Sequence, residues 1–253
     1  MKSKKQSGFA TKAIHVGQEP DPLTGAVTVP IYPTSTYVQQ GIGEHKGYEY
    51  SRVSNPTRDH LETNLAALES GAAAKVFASG MAAINAIFSM LKSGDHIVCG
   101  HDLYGGVPRL CNQVLANFGL KFTYVNTTNP ANVERAIKKS TRMVYIETPT
   151  NPLMSVSDIK AISRICRGKK VDLVVDNTFM SPYFQQPLEL GIVGLAAAAD
   201  EAETLWTATL HTNAMDLSPG VFVNEAAGAM AMLSDLWSDL TEAHRRKVAR
   251  AEP

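Results

Sequence analysis

Val171-Asp172-Leu173-Val174-Val175-Asp176-Asn177-Thr178 is an apolar run that ends on a carboxylate and turns at once into polar residues. Such a run reads as a buried strand, because the chain spends its β-branched residues on both faces of a sheet. It is the last of a series. Working back towards the N-terminus, residues 143–147, 122–125, 96–99 and 74–78 read as strands. Residues 156–166, 131–138, 108–118 and 81–91 between them carry helical spacing. Strand and helix alternating in this way predict an α/β fold with a mainly parallel sheet of five strands and flanking helices. Ahead of the series, Leu61, Leu65 and Leu68 fall near helical spacing, and the segment closes at Gly71.

In a sheet of this kind, ligands sit beyond the carboxyl ends of the strands. The loops expected there are Ser79-Gly80-Met81, His101 to Gly106, Thr148 to Pro152, and Asn177 to Phe179. Each has two readings. Gly80 and Met81 open a helix and offer free N–H groups to a phosphate, or they form a plain tight turn. Tyr104 precedes Gly105 and Gly106; it either stacks on a planar heterocycle or is a half-buried tyrosine beside a turn. Asn151 lies between Pro149 and Pro152 and either bonds a ligand or satisfies the turn. Asp176 is the sharpest case. A carboxylate at the end of so apolar a strand needs a partner, since burying it alone is expensive, and that partner is a ligand, or the residue is a helix N-cap or part of a satisfied loop.

The rest of the chain sets milder limits. It has 253 residues, 44% of them apolar and 19% charged, with a net charge of zero. That is ordinary globular composition, with no bulk attraction to nucleic acid or membrane. Residues 1–191 carry 20 basic and 15 acidic residues, whereas 192–253 carry 4 and 9, and this asymmetry marks a boundary. Three parts are therefore expected. Residues 1–59 form a Pro- and Gly-rich, irregular N-terminal arm that is functional or docked on a partner. Residues 60–191 form the α/β domain, and 192–253 an Ala-rich tail with an amphipathic helix over 226–250. In the arm, Tyr50 and Arg52 stand in Tyr48-Glu49-Tyr50-Ser51-Arg52. The planar fork of Arg52 suits a phosphate, or it is an exposed arginine. Cys99, Cys111 and Cys166 have neither disulfide nor metal-ligand spacing and read as buried thiols; no metal site is expected. The basic N-terminus lacks the apolar stretch of a signal peptide, and no run reaches the ~18–20 apolar residues of a membrane span, so a cytoplasmic protein is expected.

Taken together, these stretches resemble the Cys/Met-metabolism, or transsulfuration, family of pyridoxal phosphate enzymes. The match begins with Val29-Pro30-Ile31-Tyr32-Pro33-Thr34-Ser35-Thr36-Tyr37 and Gly47-Tyr48-Glu49-Tyr50-Ser51-Arg52. It continues through Ser79-Gly80-Met81-Ala82-Ala83, Asp102-Leu103-Tyr104-Gly105-Gly106 and Glu147-Thr148-Pro149-Thr150-Asn151-Pro152. It ends with Val175-Asp176-Asn177-Thr178-Phe179 and Ser181-Pro182-Tyr183-Phe184-Gln185-Gln186-Pro187. Order and spacing agree over residues 8 to 191. The resemblance implies the large domain of the fold-type I enzymes, incomplete here, with pyridoxal 5'-phosphate as cofactor and sulfur amino acids as substrates. It also implies a homo-oligomer with shared sites. In that picture Gly80 and Met81 hold the phosphate, and Tyr50 and Arg52 reach the phosphate of the neighbouring subunit. Tyr104 stacks on the ring and assists proton transfer. Asp176 pairs with the ring nitrogen, Thr178 lies near the ring, and Asn151 contacts the ring hydroxyl side. Arg109 stands at the substrate edge.

One departure accompanies the match. Relatives continue past the counterpart of Gly191 to a Ser-Val-Thr-Lys-like run that supplies the lysine bonded to the cofactor. Here the chain reads Ile192-Val193-Gly194-Leu195-Ala196-Ala197-Ala198-Ala199-Asp200, and no lysine follows Lys170 until Lys247, which sits in a basic cluster. The resemblance therefore implies a cystathionine γ-lyase-like enzyme by descent, with little or no activity expected of this chain. The alternatives are a cystathionine γ-synthase-like enzyme and a non-catalytic scaffold. Some methionine γ-lyases carry a cysteine where Gly106 stands, which disfavours that subclass.

Overall fold

In the computed structural model, which describes residues 7–191, the four strands run parallel in the order β2-β1-β3-β4. They are β1 (His96–Gly100), β2 (Lys121–Val125), β3 (Thr141–Glu147) and β4 (Asp172–Asp176). Alternation of side chains divides the core in two. Ile97, Cys99, Met143, Tyr145 and Val174 face α3 (Gly80–Phe88) and a helical segment that begins as α4 (Gly106–Arg109) and continues through 118. Val98, Val144, Ile146, Leu173 and Val175 face the other way, towards Val133 of α5 (Pro130–Ala136) and Ile159, Ile162 and Cys166 of α6 (Ile159–Lys169). Both faces of the sheet are thus covered, as an all-parallel sheet requires. All three cysteines are buried.

The helices start where their caps allow. The side chains of Ser79, Asn129 and Asp158 accept the amides of Ala82, Ala131 and Ala161 at 3.2, 3.0 and 2.9 Å. Each such cap contributes on the order of 1 kcal/mol. Asp158 explains why the expected helix over 156–166 is displaced to Ile159–Lys169. In α2 (Pro56–Leu68), Asn55 caps and Pro56 occupies the first turn, so the helix begins four residues ahead of His60.

Two expectations are corrected. Residues 74–78 form no strand among the described residues. A strand exists only against a hydrogen-bonding neighbour, and this segment is tied to a side chain instead. Glu62 of α2 accepts the Val76 amide at 3.1 Å and pairs with Lys75 Nζ at 2.9 Å. The sheet therefore has four described strands rather than five. Secondly, the arm is not wholly irregular. α1 (Phe9–His15) packs on α2, where Asn64 Nδ2 donates to the carbonyls of Lys12, Ala13 and Val16. Gly17 (φ +70°) closes this joint. A Cβ there would stand 2.8 Å from the His60 carbonyl. The helix expected over 226–250 lies outside the described residues. No helix among the described residues is long and apolar enough to cross a membrane.

Candidate functional site

From β1 the chain moves outward to β2, then crosses back to β3 and proceeds outward to β4, so the strand order reverses between β1 and β3. In such a sheet the usual ligand position lies beyond the carboxyl ends of the strands at this reversal, and the loops leaving β1 and β3 lie there. Two carboxylates stand at this end of the sheet. Glu147 ends β3, Asp176 ends β4, and the two are register partners. Both are buried, at 3% and 4% exposure.

Asp176 is held by three donors. Its Oδ2 accepts the Tyr145 hydroxyl at 2.9 Å, and its Oδ1 accepts the amide and hydroxyl of Thr178 at 3.1 and 2.6 Å. Tyr145 is fully buried, its ring meeting Phe88 edge-on at 5.3 Å between centroids. Burial, reinforced by the Asp176 charge, pushes the pKa of its hydroxyl well up, so it stays a donor.

Glu147 is held by backbone. Its Oε2 accepts the Tyr104 amide at 2.7 Å and its Oε1 accepts the Asn151 amide at 2.8 Å. Burial pushes its pKa up to about 7. The charges of Asp176 and Asp102 add to this, while the two amides pull the other way. A second tie joins the same loops, from the Thr150 hydroxyl to Asp102 Oδ2. The loop after β4 joins them through Gln185, whose Nε2 donates to the Thr148 carbonyl at 3.0 Å and to Asn177 Oδ1 at 2.6 Å.

Next to these loops lies the start of α3. Gly106 brings it against the Tyr104 loop: a Cβ there would sit 2.8 Å from Met81 Sδ and 2.7 Å from Tyr104 Cε1. The Tyr104 ring itself is half exposed, at 47%. Ser79 caps Ala82, which leaves the Gly80 and Met81 amides at the positive end of the helix with no intrahelical carbonyl to meet.

The structure thus brings Met81, Tyr104, Asn151, Asp176 and Thr178 to connected loops at one end of the sheet. Tyr50 and Arg52 are arm residues. The Arg52 guanidinium lies 4.7 Å from the Tyr50 ring centroid, and Tyr50 bridges Thr36. Arg109 is exposed on the helical segment after Gly106. Glu147, Tyr145, Asp102 and Thr150 take part in the site without having been singled out from the sequence. Of these, only Glu147 carried a visible signal, the same carboxylate ending an apolar strand that marked Asp176.

These features define an α/β protein whose buried carboxylates and linked loops gather where the strand order reverses. Residues 10–198 match the model of the Cys/Met metabolism PLP-dependent enzymes, and the chain belongs to that family. It is 46% identical over 235 residues to the probable cystathionine gamma-synthase of Herpetosiphon aurantiacus, covering 91% of this chain and 74% of that protein. To the cystathionine gamma-lyase of Bacillus subtilis (strain 168) it is 51% identical over 181 residues, covering 72% of this chain and 48% of that one. Among solved structures it resembles cystathionine gamma-lyase from Lactobacillus plantarum complexed with L-serine. There the TM-score is 0.71 at 49% identity, over 74% of this chain and 49% of that one. The chain thus spans about half the length of the latter two.

The donor set suits the family's cofactor, a planar heterocycle that bears a phosphate and a basic ring nitrogen. Open amides at a helix start fit the phosphate, a half-exposed aromatic ring fits the plane, and a buried carboxylate with fixed orientation fits a protonated nitrogen.

Proposed function

We propose that this chain is a cystathionine γ-lyase-like enzyme by descent, whose family reaction eliminates a carbon–sulfur bond in sulfur amino acids, and that it holds pyridoxal 5'-phosphate without a covalent anchor. The observation that carries this reading is the orientation of Asp176. Tyr145 and Thr178 together fix a carboxylate at the carboxyl end of β4, where it can keep a ring nitrogen protonated. When bound, the cofactor supplies an electron sink for charge at the substrate α-carbon. The chain's own residues do the rest. Gly80 and Met81 bind the phosphate through their amides, and the Tyr104 ring covers the heterocycle and holds a proton near the reacting carbon. Asn151 meets the ring hydroxyl side, Thr178 keeps Asp176 in place, and Arg109 lies at the substrate edge. Tyr50 and Arg52 serve the phosphate of a neighbouring subunit, so the working form is a cytoplasmic homo-oligomer.

The absence of a covalent anchor rests on the stretch between Lys170 and Lys247, which contains no lysine. The test is direct. Purified chain is loaded with pyridoxal 5'-phosphate, dialysed, treated with borohydride and mapped by mass spectrometry, and keto acid release from cystathionine is followed alongside. Saturable binding that dialyses away, weakens in Asp176→Ala and releases no keto acid supports the reading. A borohydride-fixed adduct on Lys247 or any other lysine refutes the missing anchor. Absence of saturable binding refutes the cofactor site itself.

A further inference from the structure

Outside the residues given roles above, one buried group touches the loops after β1 and β3 at once. We propose that Glu147 is a positioning residue: its two carboxylate oxygens each clamp one loop, and so place the Tyr104 ring and the Asn151 side chain together. This rests on the cofactor reading for its purpose, but not for its geometry. Oε2 holds the Tyr104 amide at 2.7 Å and Oε1 holds the Asn151 amide at 2.8 Å. Both bonds are short, as charge-assisted bonds are. They attach to the backbone of the very residues whose side chains would meet the ring. The clamp joins the loops that leave β1 and β3, the two strands between which the strand order reverses.

The chemistry explains why the residue is a glutamate. Two N–H donors converge on it from different loops, and an ionised carboxylate offers an acceptor to each. A glutamine of the same shape offers one acceptor and one NH2, so one loop amide would face another donor. A leucine offers neither. The groups that face Glu147 are Asp176 from β4, Asp102 from the loop after β1 and Tyr145 from its own strand. Proton uptake by Glu147 therefore relieves acidic crowding and turns one oxygen into a donor, which releases one of the two amides. Its carboxyl titrates near neutrality, at about 7. The clamp is thus complete above that pH and half open below it.

The amides themselves report on this, without any cofactor present. Nitrogen-15 spectra of the wild-type chain across pH 5–9 are expected to show the Tyr104 and Asn151 amides shifting together, with one common midpoint near neutrality. Independent or absent titration of the two amides overturns the clamp, and no variant is needed for that arm. In Glu147→Gln the shared titration disappears, and pyridoxal 5'-phosphate binding falls roughly tenfold at pH 8, the loss of about one charge-assisted hydrogen bond. Unchanged affinity in a folded Glu147→Gln overturns the positioning role. If the amides titrate together but the wild type fails to bind the cofactor, the clamp stands and the cofactor reading falls.

Discussion

Tyr145→Phe isolates one bond in the core of the site. The substitution keeps the ring, its burial and its edge contact with Phe88, and removes only the hydroxyl that donates to Asp176 Oδ2 at 2.9 Å. A hydrogen bond to a charged group contributes about 1.5–3 kcal/mol. Part of that is returned, because a hydroxyl no longer has to be taken out of water. The net cost expected is therefore about 1–2 kcal/mol, with the remaining two donors, the Thr178 amide and hydroxyl, still on Oδ1. For a chain of this size that lowers the melting temperature by roughly 2–8 °C. Urea unfolding followed by circular dichroism measures it, with an unchanged slope showing that the folded state is intact. The decisive arm is the same substitution in an Asp176→Ala background. There the hydroxyl has lost its acceptor, so removing it should be neutral or stabilising. A cost that is the same in both backgrounds would mean that the Tyr145–Asp176 bond contributes nothing, and the account of a pre-oriented carboxylate would be wrong.

Other outcomes follow from the same geometry. Glu147 has a folded-state pKa near 7 against an ordinary 4.5, so the folded chain binds its proton more tightly than the unfolded chain does. Its stabilising effect is complete below about pH 4.5 and is lost as pH rises to about 7, an effect of order 3 kcal/mol that Glu147→Gln should flatten in urea titrations at stepped pH. Ser79→Ala removes the cap on the Ala82 amide and should cost about 1 kcal/mol, while raising amide exchange in the first turn of α3. For the arm, Arg52→Ala and Asp176→Ala should each bind the cofactor poorly alone. Mixed and refolded together, they should recover part of the binding if the arm of one subunit completes the site of another, and none if each site is served by its own arm.

The elements legible in the sequence were those whose signal is local. Four strands were readable because each is a short apolar run closed by a polar turn, and their helices because a cap and a hydrophobic stripe lie within a dozen residues. Residues 74–78 carry the same apolar signal and yet pair with nothing described, since their partner is a side chain. Val76 donates to Glu62, thirteen and fourteen positions from the two residues it holds, and no periodicity announces that. α1 was missed for a related reason. Seven residues without a side-chain cap are marginal alone, and what holds them is Asn64, some fifty positions away.

The site divides along the same line. Asp176, Tyr104 and Met81 could be picked out because each stands at a strand end or a helix start, where topology alone predicts a ligand. Glu147 ends its strand in the same manner as Asp176, and only the register of β3 against β4 reveals that the two carboxylates stand side by side. That adjacency is what gives each a separate task. Two buried carboxylates in register cannot both stay ionised cheaply near neutral pH unless each is supplied with donors. Asp176 draws its donors from Tyr145 and Thr178, neighbours on the strands and the turn. Glu147 draws its own from the backbone of two loops, and so links the end of β3 to both. The better-supplied carboxylate is suited to face a cationic ring. The other, poised near pH 7, is suited to hold the loops that enclose it.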